Sequence, residues 1–177
     1  MKKIALFIAL AMPVSAFAQT APDEQALISA VSQYATSNDN ATNDMAKAGI
    51  RHDRAVAVCG ILKGLSVSNW TGTIQTIDST GSGAGVLEVT ISPQITLSTS
   101  NNDFSNSMDH TAIPAGSALF QKVASMKTGD NVQFSGQFVA SSQDCIQENS
   151  ITIDGSMDNP DYDFRFTSVT DLSQQQN

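Results

Sequence analysis

The sequence predicts a mainly β domain preceded by a helical N-terminal segment, and three observations lead there. Ser, Thr, Asn and Gln make up 61 of 177 residues while only 15% of residues are charged, a mixture that suits strands and turns better than exposed helices. The long helical patterns lie in the first third of the chain, and from Val67 onward short runs of Val, Ile, Thr and Phe alternate with Gly, Asn and Asp, the texture of strands and hairpins. With 41% hydrophobic residues, the chain can bury a core and is not a disordered polyelectrolyte.

Residues 1–18 read as an export signal. Met1, Lys2 and Lys3 supply a positive start, Ile4 to Met12 an apolar run, and Ala16-Phe17-Ala18 a small-x-small cleavage site that leaves Gln19 as the new N-terminus. The nine-residue apolar run is too short to span about 30 Å of hydrocarbon, so the product is expected to leave the cytoplasm without membrane insertion. No Cys stands at the cleavage site to accept a lipid, and the short Lys-Lys signal points to a bacterial periplasm or beyond.

Residues 19–64 are expected to be helical. Thr20 and Asp23 form a capping-box pattern before Leu27, Val31 and Tyr34, which predicts a helix over 22–36. A polar break at Ser37 to Thr42 precedes a second helix from Asn43 to about Lys63, with Met45, His52, Val56, Cys59 and Leu62 near one face and Gly64 as its stop. The barrel is expected over 65–171. Ser68 to Asp78 places Trp70, Gly72, Ile74 and Thr76 on one side, Gly81 to Gly85 turns the chain, and Val86 to Ile91 and Ile95 to Thr99 return as strands. Ser100 to His110 reads as a polar loop. Ser117 caps a short helix carrying Leu119, Phe120, Val123 and Met126, ended by Gly129. Val132, Phe134, Gly136 and Phe138 alternate along a fourth strand, Ser150 to Asp154 suggests a short one, and Tyr162 to Val169 another; residues 172–177 read as a frayed tail. Three strands, a helix and two or more strands is the order of the OB-fold, a Greek-key barrel with the helix between strands three and four. A five- to six-stranded OB-like barrel is therefore expected, with a generic small sandwich as its rival.

Several stretches carry a family resemblance: Asn69-Trp70-Thr71-Gly72-Thr73-Ile74, Gly83-Ala84-Gly85-Val86-Leu87, Asn101-Asn102-Asp103-Phe104-Ser105, Val132 to Phe138, Asp144 to Ser150, and Phe164-Arg165-Phe166. Over roughly residues 55–170 the chain resembles a group of functionally uncharacterised bacterial exported proteins with an OB-like barrel. The resemblance implies that fold and is compatible with a Cys59 to Cys145 pairing, and it implies no reaction. That group has an aromatic residue before the Asn pair, where this chain has Ser100.

In an oxidising compartment the two cysteines, Cys59 and Cys145, read as one disulfide rather than two buried thiols. Asp144 and Glu148 beside Cys145 would oppose a thiolate, so the crosslink is expected to be structural and not catalytic. Other chemistry is weakly signalled. Gly81 to Gly85 lacks both the P-loop and the dinucleotide spacing and reads as a hairpin turn. His52-Asp53 and Asp109-His110 have no metal or nucleophile motif around them, and neighbours in sequence point apart. Asn159-x-Asp161-x-Asp163 starts like a calcium loop, but Phe164 stands where Gly is needed, so Asp154, Asp158, Asp161 and Asp163 read as a solvated acidic loop. No metal, cofactor or catalytic residue is assigned.

Without residues 1–18 the chain carries 7 basic against 17 acidic residues, a net charge of −10, and residues 78–177 hold 3 bases against 12 acids. Together with the absence of bases and aromatics from Val86 to Ser100, this disfavours nucleic acid. The expected function is a non-catalytic periplasmic module that binds a protein, peptide or glycan. The surface to probe first is Ser98, Ser100, Asn101, Asn102, Asp103, Phe104 and Asp109. A second reading is a small inhibitor, exclusion or immunity factor steered by its acidity to a basic target; a third, a hydrolase, has no residue set behind it.

Overall fold

The computed structural model describes residues 20–150 and 152–173. The expected export signal and the tail beyond Ser173 lie outside them. Helix α1 spans Pro22–Asp39 and α2 spans Asp44–Ile61. Strands β1 (Ser66–Ser79), β2 (Gly85–Ser92) and β3 (Ile95–Ser98) follow, then short helices α3 (Asp103–Asp109) and α4 (Ala118–Ala124). Strand β4 (Asn131–Phe138) precedes a small hairpin, β5 (Ala140–Ser141) with β6 (Cys145–Ile146), then α5 (Ile153–Asp158) and β7 (Asp161–Asp171). The chain is thus a mixed helix and sheet protein with two helices at its N-terminal side.

Five strands form one sheet that closes on itself in the order β1-β2-β3-β7-β4. All neighbours are antiparallel except β3 and β7, which run parallel from Thr96 beside Asp161 to Ser98 beside Asp163. Strand β1 bends from one partner to the next: Ser66 to Thr73 pairs with β4, and Thr73 to Ser79 with β2. Register breaks between Val67 and Trp70 and between Ile74 and Thr76, the bulges that let a strand curve around a ring. Asn69, at φ 60°, sits in the first.

Inward positions fill the ring. Along β4 the expected set, Val132, Phe134, Gly136 and Phe138, is buried on one side. Six aromatic rings meet there edge to face: Trp70 lies 5.7 Å from Phe138, Phe138 5.0 Å from Phe164, and Phe164 4.8 Å from Phe166, with Phe134 and Tyr162 against them. Edge-to-face contacts suit the ring quadrupoles. Trp70 is 0% exposed, so it is core, as an isolated Trp on an alternating strand suggests. Leu27, Val31, Val58 and Leu62 of the N-terminal segment belong to the same apolar cluster. Leu119, Phe120, Val123 and Met126 around α4 pack on it as expected.

Several local expectations are corrected, most by a polar contact that periodicity does not weigh. Helix α1 starts at Pro22 with Ala21 as N-cap, and the box is closed by Glu24, not by Thr20 and Asp23: the Ala21 amide donates to the Glu24 carboxylate at 3.4 Å. It also runs through the expected break to Asp39. Helix α2 buries Arg54, Ala55 and Val58, while Met45, Val56, His52 and Cys59 are exposed. Arg54 faces inward because its guanidinium donates to the Ser156 carbonyl at 2.6 Å, leaving its stem to pack as an apolar group. The loop expected at Ser100 to His110 contains α3, because the Asn102 side chain accepts from the Ser105 amide. The strand expected at Ser150 to Asp154 gives way to α5, capped by Thr152. Helix α4 ends at Ala124, ahead of Gly129.

Cys59 at the end of α2 is bonded to Cys145 of the β5-β6 hairpin, across 86 residues. Arg51, two turns earlier on α2, holds Asp144 through both carboxylate oxygens, at 3.0 Å from its Nε. The crosslink therefore carries a charge-assisted clamp beside it. Replacing both cysteines with Ser should lower stability by about 2–4 kcal/mol in denaturant unfolding, since loop closure over such a span is the larger contribution; an unchanged midpoint would refute this. At Gly136 an added Cβ would lie 2.3 Å from the Arg165 carbonyl oxygen and 2.4 Å from Phe164. Gly136→Ala should cost roughly 3 kcal/mol or more, by overpacking against backbone.

Candidate functional site

Two surfaces could meet a ligand. The first is the expected one, and the structure divides its members. Asn101, Asn102, Asp103 and Phe104 are exposed and Asp109 is half-buried, whereas Ser98 and Ser100 are 4% exposed. The Ser98 hydroxyl donates to the Asp161 carboxylate, and the Ser100 backbone N–H and hydroxyl meet the Thr111 hydroxyl at 2.7 and 2.8 Å. Both serines are thereby withdrawn from any ligand. The exposed remainder is organised by α3. Asp103 accepts from the Ser82 hydroxyl at 2.7 Å and so ties α3 to the β1-β2 turn; these contacts hold its carboxyl below the usual carboxylate range. Phe104 and Met108 stand out from the helix at 75% and 61% exposure.

The second surface was not anticipated. Between the start of α1 and the outer faces of β1, β2 and β4 lies an open groove of about 1320 Å³. Its floor is the outward half of the alternating strands: Thr71, Thr73 and Gln75 of β1, Thr90 of β2, and Asn131 and Gln133 of β4. The alternation that sends Trp70, Ile74, Val132 and Phe134 inward sends these residues outward, so the sequence held the signal. What it lacked was the bend of β1 that brings β2 and β4 side by side with α1. Thr73 donates to the Asn131 side chain at 3.0 Å and Gln75 to Thr90 at 2.9 Å, which fixes their orientation.

Among the described residues that line it, Glu24 is the one ionisable group. It is 1% exposed and answers a strand-edge problem. Ahead of Thr73 β1 has no β2 residue beside it, and the Thr71 N–H and hydroxyl both donate to the Glu24 carboxylate at 3.1 Å. Such cover keeps an edge from pairing with another chain. Burial raises the Glu24 pKa above its ordinary value, against the lowering effect of the Thr71 hydrogen bonds.

The acidic stretch does not converge. Asp154 on α5 pairs with Lys47 at 2.8 Å, Asp161 accepts from Ser98, and Asp163 accepts from Asn149 at 2.7 Å. Among the described residues no group of three or more His, Cys, Asp or Glu is arranged to hold a metal ion. His52 lies on α2 and His110 caps α3, on separate elements. The Gly81 to Gly85 segment is the expected turn, closed by the Thr80 amide on the Ala84 carbonyl at 2.8 Å. Among the described residues no helix is long and apolar enough to cross a membrane. No family model, curated protein or solved structure matches the chain.

Burial also raises the carboxyls of Asp161 and Asp163. A raised folded-state pKa contributes stability that is complete below the unfolded value, here near 4.5 for Glu and 3.8 for Asp, and is lost as pH rises through the folded value. Urea midpoints should therefore fall as pH rises from about 4. Glu24→Ala, which strands the Thr71 donors, should cost about 1–3 kcal/mol, and more at about pH 4 than at neutral pH. A midpoint that rises with pH, or a Glu24→Ala penalty that grows with pH, contradicts the assignment.

Proposed function

We propose that the chain is an exported, non-catalytic binding module built on an OB-like Greek-key barrel, and that the α1 groove takes a neutral chain rich in hydroxyls and amides. The barrel reading is supported by the strand order β1-β2-β3-β7-β4 with its parallel β3-β7 pair, and by α4 lying between the third and fourth ring strands. Export is supported by the N-terminal signal pattern and the oxidised Cys59–Cys145 pair.

The observation that carries the ligand class is the chemistry of the groove. A floor of Thr71, Thr73, Gln75, Thr90, Asn131 and Gln133 offers donors and acceptors and no charge, and Glu24 is already occupied by Thr71 and Ala21. With Ile28, Ile91, Pro93 and Leu172 beside that floor, the lining matches a glycan or a peptide in extended conformation better than an anion or a cation. A second reading, a small inhibitor or exclusion factor, is favoured by the exposed Phe104 and Met108 beside acidic residues.

The test is backbone amide NMR with soluble peptidoglycan fragments, dextran oligomers and uncharged peptides as probes. Shifts should gather at Thr71, Thr73, Asn131 and Gln133, and Gln133→Ala should weaken the responding probe about fivefold or more, the loss of a hydrogen-bonded contact of about 1 kcal/mol. Shifts that avoid these strands, or no response from any probe, would remove the reading.

A further inference from the structure

Helix α3 is held at many points and buries nothing. None of its residues is buried. Yet Asn102 caps its start by accepting from the Ser105 amide at 2.9 Å, and Asp103 holds Ser82. Inside it, the Asn106 side chain accepts from the Ala112 amide at 2.9 Å. At its end the Arg165 guanidinium donates to the Asp109 and His110 carbonyls at 2.9 and 2.8 Å. A helix of seven residues is far below the length that is stable alone, and no burial offsets its ordering cost. What the contacts do achieve is a fixed direction for two large side chains. Phe104 and Met108 are four residues apart, hence neighbours on one face. The other exposed large apolar residues of the described chain, Met45, Val56 and Ile153, have no such neighbour.

We propose that α3 is a preordered docking knob for a protein partner that offers an apolar pocket rimmed by Lys and Arg. The partner's chemistry follows from charge. Asp103 and Asp109 bracket the knob, the charge of Asp109 reaches Asp163 on β7, and residues 78–177 carry 12 acids against 3 bases. Arg165, the base that touches α3, has its guanidinium on two backbone carbonyls. A second copy of this chain would set acid against acid at the same face. Phe104 supplies a stiff anchor and Met108 an adaptable one, the residue types that concentrate binding energy when a pocket closes over them. None of the groove-lining residues belongs to α3, so the two surfaces stand or fall separately.

The intact, disulfide-bonded protein is panned against a displayed random-peptide library, and enriched peptides are synthesised and titrated. Enriched sequences should combine aromatic or aliphatic residues with Lys and Arg, and their binding should weaken with added salt. Phe104→Ser and Met108→Ser should each weaken binding about tenfold or more while leaving the melting temperature unchanged. Arg165→Ala, which frees the end of α3 without touching the knob, should weaken binding with a smaller fold-change. Enrichment of neutral or acidic peptides, no enrichment, or full binding by Phe104→Ser would overturn the proposal. So would a dimer in sedimentation that Phe104→Ser abolishes, since that result would assign the face to a second copy.

Discussion

The closed sheet depends on one close approach, that of β4 to β7 at Gly136. There the β7 backbone and the Phe164 ring occupy the space a side chain would need. This lets β4 serve β1 on one side and β7 on the other over almost its whole length, and it seats the Phe164 ring among Phe134, Phe138 and Phe166. Gly72 makes a matching concession on β1, where a Cβ would lie 2.6 Å from the Thr90 carbonyl oxygen. Small residues at such points are how a sheet coils tightly enough to close. Remove the approach at Gly136 and the aromatic cluster loses its packing plane; the groove and α3, which hang on β1, β2 and β7, lose their frame.

The N-terminal helices act as a clasp on that ring. Helix α1 covers the edge of β1 ahead of its pairing with β2, with Glu24 taking the donors of Thr71. Helix α2 reaches the far hairpin through Cys59 and Arg51. The two attachments differ in kind. The disulfide restricts the unfolded chain whatever the pH, whereas burying Glu24 costs more once its carboxyl ionises, although the Thr71 donors offset part of that cost. The hairpin region is knitted into the ring by backbone as well: the Val139 amide donates to the Asp163 carbonyl at 3.1 Å and the Asn149 amide to the Asp161 carbonyl at 2.8 Å.

Much of the ring was legible because alternation is a strong signal where one face is buried. Val132, Phe134, Gly136 and Phe138 announced their side of β4, and Phe164 and Phe166 theirs of β7. The short helices were harder to read. Asn102 and Thr152 look like loop and strand residues by composition, yet each side chain accepts an amide three residues on and starts a helix. On α2 apolar residues suggested the wrong face, since Arg54 is buried through a carbonyl partner more than a hundred residues away. The candidate surface was half legible for a related reason. Ser98 and Ser100 are as polar as Asn101 and Asn102, and partners in three dimensions decide which hydroxyls remain free. The groove was hidden further, because its floor joins three strands that only the bend of β1 brings together.

Thr20 and Ser173, the first and last residues of the described chain, both line the groove. Thr20 ahead of α1 and Ser173 after β7 thus share one recess, and a ligand seated there would bridge segments more than 150 residues apart in sequence, holding the entry to the first helix against the exit of the last strand.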